Sequence, residues 1–473
     1  MNWTIALPEI VLAVCGLLIL VIGVLRKQDP TQLCGMLTLG AFLVAGMLVL
    51  TRPGGTGFYG QFTVDSFAVL TKLLILIGAA FSLMLSFDDN RKQGIARFEY
   101  PVLILFATVG MMGMVSATSL MTLYVALELQ SLALYVLAAF ARDDVRSSEA
   151  GLKYFVLGAL ASGLLLYGIS LVYGFSGTMD FGALAHALAS PGQASPGLVV
   201  GVVFVIAGLA FKISAAPFHM WTPDVYQGAP TPVTTFFATA PKVAAMALFL
   251  RVMAGPFGHL LASWQLVIEI ISIVSMVLGA FAAIGQTNVK RLMAYSSIGH
   301  MGYALIGLAV GTQLGVRGVL VYLIVYIFMS AGTWACIIAM RRQGLAVEKI
   351  EDLAGLARTD PGLAMAFAIF MFSMAGIPPL AGFFGKLYVF LAAVHSGMWT
   401  IAIIGVLTSV VGSYYYLRIV KVMYFDTPAP AFDRRPSMIG FVAAVAGLFT
   451  LFFFLFPGPL VAAAGTAASA LFG

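Results

Sequence analysis

The chain has 473 residues; 61% are apolar or aromatic and only 9% are Asp, Glu, Lys or Arg, against roughly 25% charged residues in ordinary soluble domains. So few charges cannot cover a soluble surface, so the prior of about 150 residues per domain gives way to that of a polytopic membrane protein. Disorder, secretion and nucleic-acid binding are excluded together, because the net charge of +6 comes from basic residues scattered through loops rather than from one basic face.

Met1–Thr4 lacks the basic stretch of a cleavable signal peptide, so the first apolar run is expected to stay as a membrane span. Apolar runs bounded by charge or by Gly/Pro clusters predict fourteen helices, near 4–25, 33–51, 64–87, 100–117, 119–140, 149–175, 198–222, 231–254, 263–285, 289–310, 315–340, 361–393, 398–424 and 437–456. Several exceed the ~20 residues needed to cross, so they must tilt or break. The longest polar stretches, around Gly174–Pro196 and Arg341–Pro361, are too short to bury a core of their own. Gly55-Thr-Gly57-Phe-Tyr-Gly60 has GxGxxG spacing but follows no predicted strand and opens no βαβ unit, so it is rejected as a nucleotide site. Cys15, Cys34 and Cys336 stand alone in apolar segments, which offers no thiolate set for a metal or an iron–sulfur cluster.

Basic residues test the span count, because cytoplasmic loops collect Lys and Arg. Eighteen of the 25 fall on one set of alternate loops: Arg26 and Lys27; Arg91, Lys92 and Arg97; Arg142, Arg146 and Lys153; Lys290 and Arg291; Arg341, Arg342, Lys349 and Arg358; Arg418, Lys421, Arg434 and Arg435. The opposite loops hold only Arg52, Arg251 and Arg317. This asymmetry predicts fourteen spans with both termini on the outer, periplasmic face of a bacterial inner membrane. The other four, Lys72, Lys212, Lys242 and Lys386, lie inside spans.

A lysine at a span centre costs ~2.5–3.5 kcal/mol on insertion scales, so an intramembrane charge is a functional candidate by default. Glu128, in Leu123-Tyr-Val-Ala-Leu-Glu128-Leu-Gln-Ser131, sits mid-span with no basic residue within a turn. Lys212 lies five residues before Pro217, Lys242 directly follows Pro241, and Lys386 follows the Gly376-Ile-Pro378-Pro379 interruption. Proline frees a backbone carbonyl, and irregular backbone at that depth is tolerated only when buried in protein or lining a water-filled cavity. Lys72, seven residues after Asp65, Glu269, Glu9, His219 and His300 are weaker candidates. Lys72 can be a local structural element with Asp65, Glu9 and Glu269 are close enough to span ends to reach water, and His219 can be an interfacial anchor or a proton relay. Burial opposes the charged amine and a nearby carboxylate favours it, so Glu128 with Lys212 can form an electrostatic switch that passes a proton to Lys242.

The interrupted segments echo one another. Lys212 and Lys386 are 174 residues apart, and about the same offset carries Glu128 to His300 and Lys242 to Tyr414-Tyr-Tyr416. This suggests two five-helix repeats, with interrupted helices in corresponding positions. The expected organisation is an N-terminal three-helix segment (1–99), a first repeat of spans 4–8 (100–254), a second of spans 9–13 (255–424), and span 14 with its tail (425–473).

The run Phe211-Lys212 through Pro217-Phe-His219-Met-Trp-Thr-Pro-Asp224-Val-Tyr-Gln-Gly228-Ala-Pro-Thr-Pro232 resembles the antiporter-like subunits of respiratory complex I, the NADH-quinone oxidoreductase. Ala240-Pro-Lys242, Gln286-Thr-Asn-Val-Lys-Arg-Leu-Met-Ala-Tyr-Ser-Ser297 and Gly376-Ile-Pro-Pro-Leu-Ala-Gly-Phe383 match the same family, and the likeness spans the chain. The resemblance implies an all-α integral membrane fold of about fourteen transmembrane helices, two inverted five-helix repeats with spans 7 and 12 interrupted, and a proton path. Glu128, Lys212, Lys242 and Lys386 match the family's key ionisable positions, with His300 and His219 as further members of the path. A glutamate at the twelfth-span position would point to the M type of subunit; Lys386 and the short stretch after Phe456 are similar to the N type. The resemblance also implies that NADH, FMN, iron–sulfur clusters and quinone belong to partner subunits, and no cofactor to this chain. Its partners are then the other complex I membrane subunits, the peripheral redox arm, lipid and protons. A cation/proton antiporter subunit of the Mrp type and a structural membrane spacer are the alternatives.

Overall fold

A computed structural model describes residues 2–189 and 195–472. In lipid every backbone polar group must be satisfied within the protein, so apolar runs of this length become helices. The first six spans are Leu7–Leu25, Thr31–Thr51, Ser66–Lys92, Glu99–Ser116, Leu120–Ala138 and Val145–Ser176. The seventh is broken into Pro196–Lys212 and Trp221–Gly228, the eighth into Thr231–Phe237 and Ala240–Ala254. Leu261–Ile284, Val289–Val310 and Gln313–Ile338 follow; the twelfth is broken into Pro361–Ala375 and Ala381–His395, and Trp399–Phe425 and Ser437–Phe452 complete the set. Eleven of these segments are long and apolar enough to cross a membrane on length and composition alone. The other three are the interrupted seventh and twelfth and the polar tenth, so the predicted fourteen spans are all present.

Local chemistry sets the ends. Asp65, Asp144, Asn288, Thr312 and Asp360 accept backbone N–H groups at the starts of the third, sixth, tenth, eleventh and twelfth spans, satisfying donors that a helix leaves free. The eighth span and the eleventh are almost wholly buried, whereas the first, second, thirteenth and fourteenth present apolar faces outward. Polar residues therefore concentrate around the eighth, tenth and eleventh spans. Gly110 and Gly279 bring the neighbouring helix backbones together: a Cβ on Gly110 would lie 2.6 Å from the Gln130 nitrogen, and one on Gly279 would lie 2.6 Å from the Gly299 nitrogen. Small residues at such crossings allow close approach in membranes, and here they seat the fifth span beside the fourth and the tenth beside the ninth.

The two sets of loops segregate to opposite ends. On the basic end, Arg341 bonds Asp89, the backbone N–H groups of Gln343 and Gly344 donate to Asp433, and Lys153 and Arg291 share Asp224. On the other end, Arg251 grips Asp65 through both oxygens at 2.9 and 2.7 Å, and Thr118 donates to the Gly60 carbonyl at 2.5 Å.

Four features differ from the sequence expectation. The GxGxxG loop forms a small antiparallel hairpin, Gly55–Gly57 against Phe62–Val64, still with no following βαβ unit. The eighth span is interrupted as well, because Pro241 sits in the first turn of a new helix at Ala240 and Thr239 leaves helical backbone. Lys290, expected in a loop, is buried and donates to the Ala229 carbonyl at 2.8 Å. The stretch after the fourteenth span folds as a helix, Gly458–Ser469, packed on the third and eleventh spans; its Ala/Gly composition gives no apolar periodicity to read.

Candidate functional site

The seventh-span break is built from backbone that finds partners outside its own helix. Lys212 ends the first half-helix, and residues 213–220 run irregularly, with Ser214 at φ +61°. The Ala216 N–H donates to Ser275 of the ninth span at 2.8 Å, and the Trp221 indole donates to the Phe211 carbonyl at 3.1 Å. Those contacts make an interrupted helix tolerable at membrane depth. One carbonyl at the end, that of Ile213, accepts from Lys242 Nζ at 2.9 Å, and the Ser214 hydroxyl accepts from the same amine. The C-terminal end of a helix carries partial negative charge, so it receives an ammonium from the eighth span without a carboxylate. The rings of Trp221 and Tyr226 lie 5.5 and 5.9 Å from that nitrogen, within cation–π range.

Glu128 and Lys212 are each held by a different serine. Lys212 Nζ donates to Ser131 Oγ at 2.7 Å, and Ser131 stands one helical turn after Glu128 on the fifth span. The Glu128 carboxylate accepts from Ser162 of the sixth span. The two side chains do not pair directly here: the Glu128 carboxylate is taken by Ser162 and the Lys212 amine by Ser131. From Lys212 the chain of contacts passes over one peptide to Ile213 and Ser214, and so to Lys242.

The twelfth-span break repeats the electrostatics with different parts. Gly376, at φ +88°, ends the first half-helix, and a Cβ there would lie 3.0 Å from Lys386 Cδ, so the glycine provides both the turn and the room. Lys386 Nζ donates to the Met374 and Ala375 carbonyls at 3.0 Å each and to Ser409 Oγ at 2.8 Å. The Gly382 N–H beyond the break donates to Ser373 Oγ at 2.9 Å. The Tyr303 ring lies 4.9 Å from the amine, and Tyr303 is one turn after His300. His300 is buried between hydroxyls: Nδ1 is 2.6 Å from the Tyr322 hydroxyl and Nε2 is 3.0 Å from that of Tyr416. Tyr416 in turn lies 2.5 Å from Ser296 Oγ, and Ser297 Oγ is 3.1 Å from the Tyr326 hydroxyl.

The buried cations thus fall into two kinds. Lys72 is paired with Glu9 at 2.7 Å, Arg251 with Asp65, Arg341 with Asp89, and Lys290 with Glu348 at 3.2 Å. Among the described residues, Lys212, Lys242 and Lys386 touch only hydroxyls, carbonyls and rings. The first kind is charge-neutralised by a carboxylate; the second is held only by dipoles. The Glu9–Lys72 pair corrects two expectations, since Glu9 is buried instead of reaching water and Lys72 turns to it instead of to Asp65. Removing one partner of a buried pair typically costs about 3–5 kcal/mol, so Lys72→Met should sharply reduce the amount of folded, membrane-extracted chain, and Lys72→Met with Glu9→Gln should recover most of it. An unchanged yield in the single variant would show that the pair is not structural.

His219 is not brought into either cluster. It lies in the seventh-span irregular stretch, with its buried Nδ1 unpartnered among the described residues. Ser131, Ser162, Ser409, Tyr322 and Tyr326 were not legible as site residues. The serines carry no distinctive spacing; the two tyrosines offered a weak signal, standing four apart on one face of the eleventh span, where buried hydroxyls need partners.

Residues 117–412 match the family model described as NADH:quinone oxidoreductase/Mrp antiporter, TM. Over the full length of both chains, the sequence is 67% identical to NADH-quinone oxidoreductase subunit N of Granulibacter bethesdensis and 60% identical to that of Gluconacetobacter diazotrophicus. Among solved structures, a chain of respiratory complex I from Thermus thermophilus superposes with a TM-score of 0.83 at 34% identity, covering 97% of this chain and 99% of that one. A chain of the Mrp complex from Dietzia shares the fold, with a TM-score of 0.87 at 24% identity, covering 100% of this chain and 98% of that one.

Proposed function

The chain belongs to the NADH-quinone oxidoreductase subunit N family, and from that premise we propose that it moves protons across the membrane while partner subunits oxidise NADH and reduce quinone. One observation carries this reading: at each long break, the carbonyl end of a half-helix holds a lysine amine that has no carboxylate counter-ion among the described residues. Such a group is solvated well enough to exist charged at depth and is bound weakly enough to lose a proton. The proposed path takes Glu128, Lys212, Lys242, His300 and Lys386 in that order, each with a hydroxyl bonded to it: Ser162 at Glu128, Ser131 at Lys212, Ser214 at Lys242, Tyr322 and Tyr416 at His300, and Ser409 at Lys386. At each step one N–H or O–H bond breaks as another forms on the acceptor, and the charge left behind repels or attracts the next proton. His219 lies to one side of this route. The two breaks, each with its lysine facing the residue one turn after Glu128 or His300, support the repeat boundaries of 100–254 and 255–424. The much lower identity to the Mrp chain supports the complex I assignment over a cation/proton antiporter subunit.

The experiment is NADH-driven proton uptake into membrane vesicles, with assembled complex quantified in the same preparation. Uptake at the wild-type rate after loss of every lysine in the path would end the proposal. The redox groups are assigned to partner subunits, and an absorbance band of flavin, haem or cluster arising from this polypeptide would overturn that part.

The basic loops should face the cytoplasm and both termini the periplasm. Single cysteines placed beside Asn2, beside Phe472 and in the loop 341–358 should be labelled by a membrane-impermeant thiol reagent in intact cells at the first two positions only. Labelling of the loop instead would reverse the orientation.

A further inference from the structure

Between Lys242 and His300 a proton must cross from the eighth span to the tenth, and among the described residues no hydrogen bond joins the partners of one directly to those of the other. Besides Ile213 and Ser214, the Lys242 amine meets two rings, those of Trp221 and Tyr226. The indole N–H is committed to the Phe211 carbonyl and can only donate. A phenol hydroxyl can accept one proton while giving up another, which leaves Tyr226. Its side chain is fully buried, its ring meets that of Trp334 edge-on at 6.0 Å, and its hydroxyl faces Ser297 of the tenth span without closing a hydrogen bond in this structure. Ser297 Oγ in turn is 3.1 Å from the Tyr326 hydroxyl. Tyr322, one helical turn before Tyr326 and on the same face, bonds His300. Tyr226 thus adjoins both the Lys242 amine and the hydroxyls that surround His300.

The half-helix that carries Tyr226, Trp221–Gly228, is tied at several points. Trp221 holds its start through the Phe211 carbonyl, Asp224 takes Lys153 and Arg291 at 2.9 and 2.7 Å, and Lys290 donates to the Ala229 carbonyl at its end. The Tyr226 carbonyl itself accepts from Thr234 at 3.0 Å. A proton relay needs its atoms held within hydrogen-bond reach, directly or across one water, and a short helix anchored in this way keeps the phenol in one place.

We propose that the Tyr226 hydroxyl is the relay that carries protons from Lys242 to the hydroxyl cluster around His300. This rests on the proton-path reading above and adds the residue that joins its two halves. An N–H bond of the Lys242 ammonium breaks as an O–H bond forms on Tyr226, across one water where the two atoms stand apart. The original Tyr226 proton passes to Ser297, that of Ser297 to Tyr326, that of Tyr326 to Tyr322, and that of Tyr322 to Nδ1 of His300. Lys242 ends as a neutral amine, His300 as an imidazolium, and each hydroxyl with the one proton it began with. Movement in concert leaves no phenolate in an interior where a lone charge is costly.

The test is NADH-driven proton uptake per assembled complex for Tyr226→Phe, Ser297→Ala, the two combined, and Lys242→Met. Phenylalanine keeps the ring beside Lys242 and Trp334 and deletes only the hydroxyl. Tyr226→Phe and Ser297→Ala should each lower uptake by about tenfold or more, and the combination should be no worse than the more severe of the two, because both interrupt one line of transfer. The solvent deuterium isotope effect on uptake should rise above wild type in Tyr226→Phe, a change that looser packing alone does not produce. Wild-type uptake in Tyr226→Phe, losses that multiply in the combination, or an unchanged isotope effect would each overturn the proposal. Lys242→Met separates it from the reading beneath it: loss there with normal uptake in Tyr226→Phe removes only the relay, whereas normal uptake in Lys242→Met removes the lysine path at that point and the relay with it. Should Tyr226→Phe not assemble, Ser297→Ala decides by the same uptake and isotope outcomes.

Discussion

Glu128→Gln and Lys212→Ala should each lower NADH-driven proton uptake per assembled complex by about tenfold or more, a modest share of the ~10²–10⁴ that a positioned proton-transfer group typically contributes. Gln keeps an oxygen that accepts from Ser162, so packing around position 128 survives while the titratable group is lost. Lys212→Ala removes the amine from Ser131, and its effect should be matched in direction, though smaller, by Ser131→Ala, which leaves both charges and deletes the hydroxyl that Lys212 bonds. The charge-swapped pair Glu128→Lys with Lys212→Glu tests the geometry. Because Glu128 and Lys212 bond different serines and not each other, the swap should restore only part of the activity. Wild-type uptake in either single variant would make the pair structural, and full recovery in the swap would show that a direct ion pair, absent from this structure, forms during turnover.

The span count was legible because membrane depth demands long apolar runs and charge marks their ends. The seventh and twelfth breaks were legible because proline forbids a helical hydrogen bond. The eighth-span break was not, since proline in the first turn of a new helix reads the same as proline that merely kinks an old one. Of the site, the lysines and Glu128 stood out because ionised groups are rare and costly in hydrocarbon. Their partners did not: a serine or a helix-end carbonyl has no distinctive spacing, and sequence cannot say which span faces which. Glu9 and Lys72 show the same limit from the other side. They are 63 residues apart, and only packing of the first span on the third reveals that a charge which seemed free to reach water is half of a buried pair. The sequence offset linking Glu128 to His300 pointed to a useful place, yet the two are supported differently, the carboxylate by Ser162 and the imidazole by Tyr322 and Tyr416.

Lys386 separates a proton relay from an amine that only fills and caps the twelfth-span break. Its three donors satisfy the Met374 and Ala375 carbonyls and Ser409, so a capping role alone is physically reasonable. Arginine distinguishes the two. A guanidinium keeps the charge and the donors but does not release a proton at any accessible pH, so Lys386→Arg should assemble and yet lose proton uptake by about tenfold or more, whereas a cap should work nearly as well with Arg as with Lys. Lys386→Met, of similar length and no charge, should also block uptake. Lys386→Glu should retain partial uptake, because a carboxyl can titrate; next to the negative end of a half-helix it must be held protonated to donate to either carbonyl, which slows it. The measurement is uptake per assembled complex for all three variants side by side. Normal uptake with Met would remove Lys386 from the path and leave the Gly376–Gly382 interruption as a packing feature; normal uptake with Arg would make it a cap.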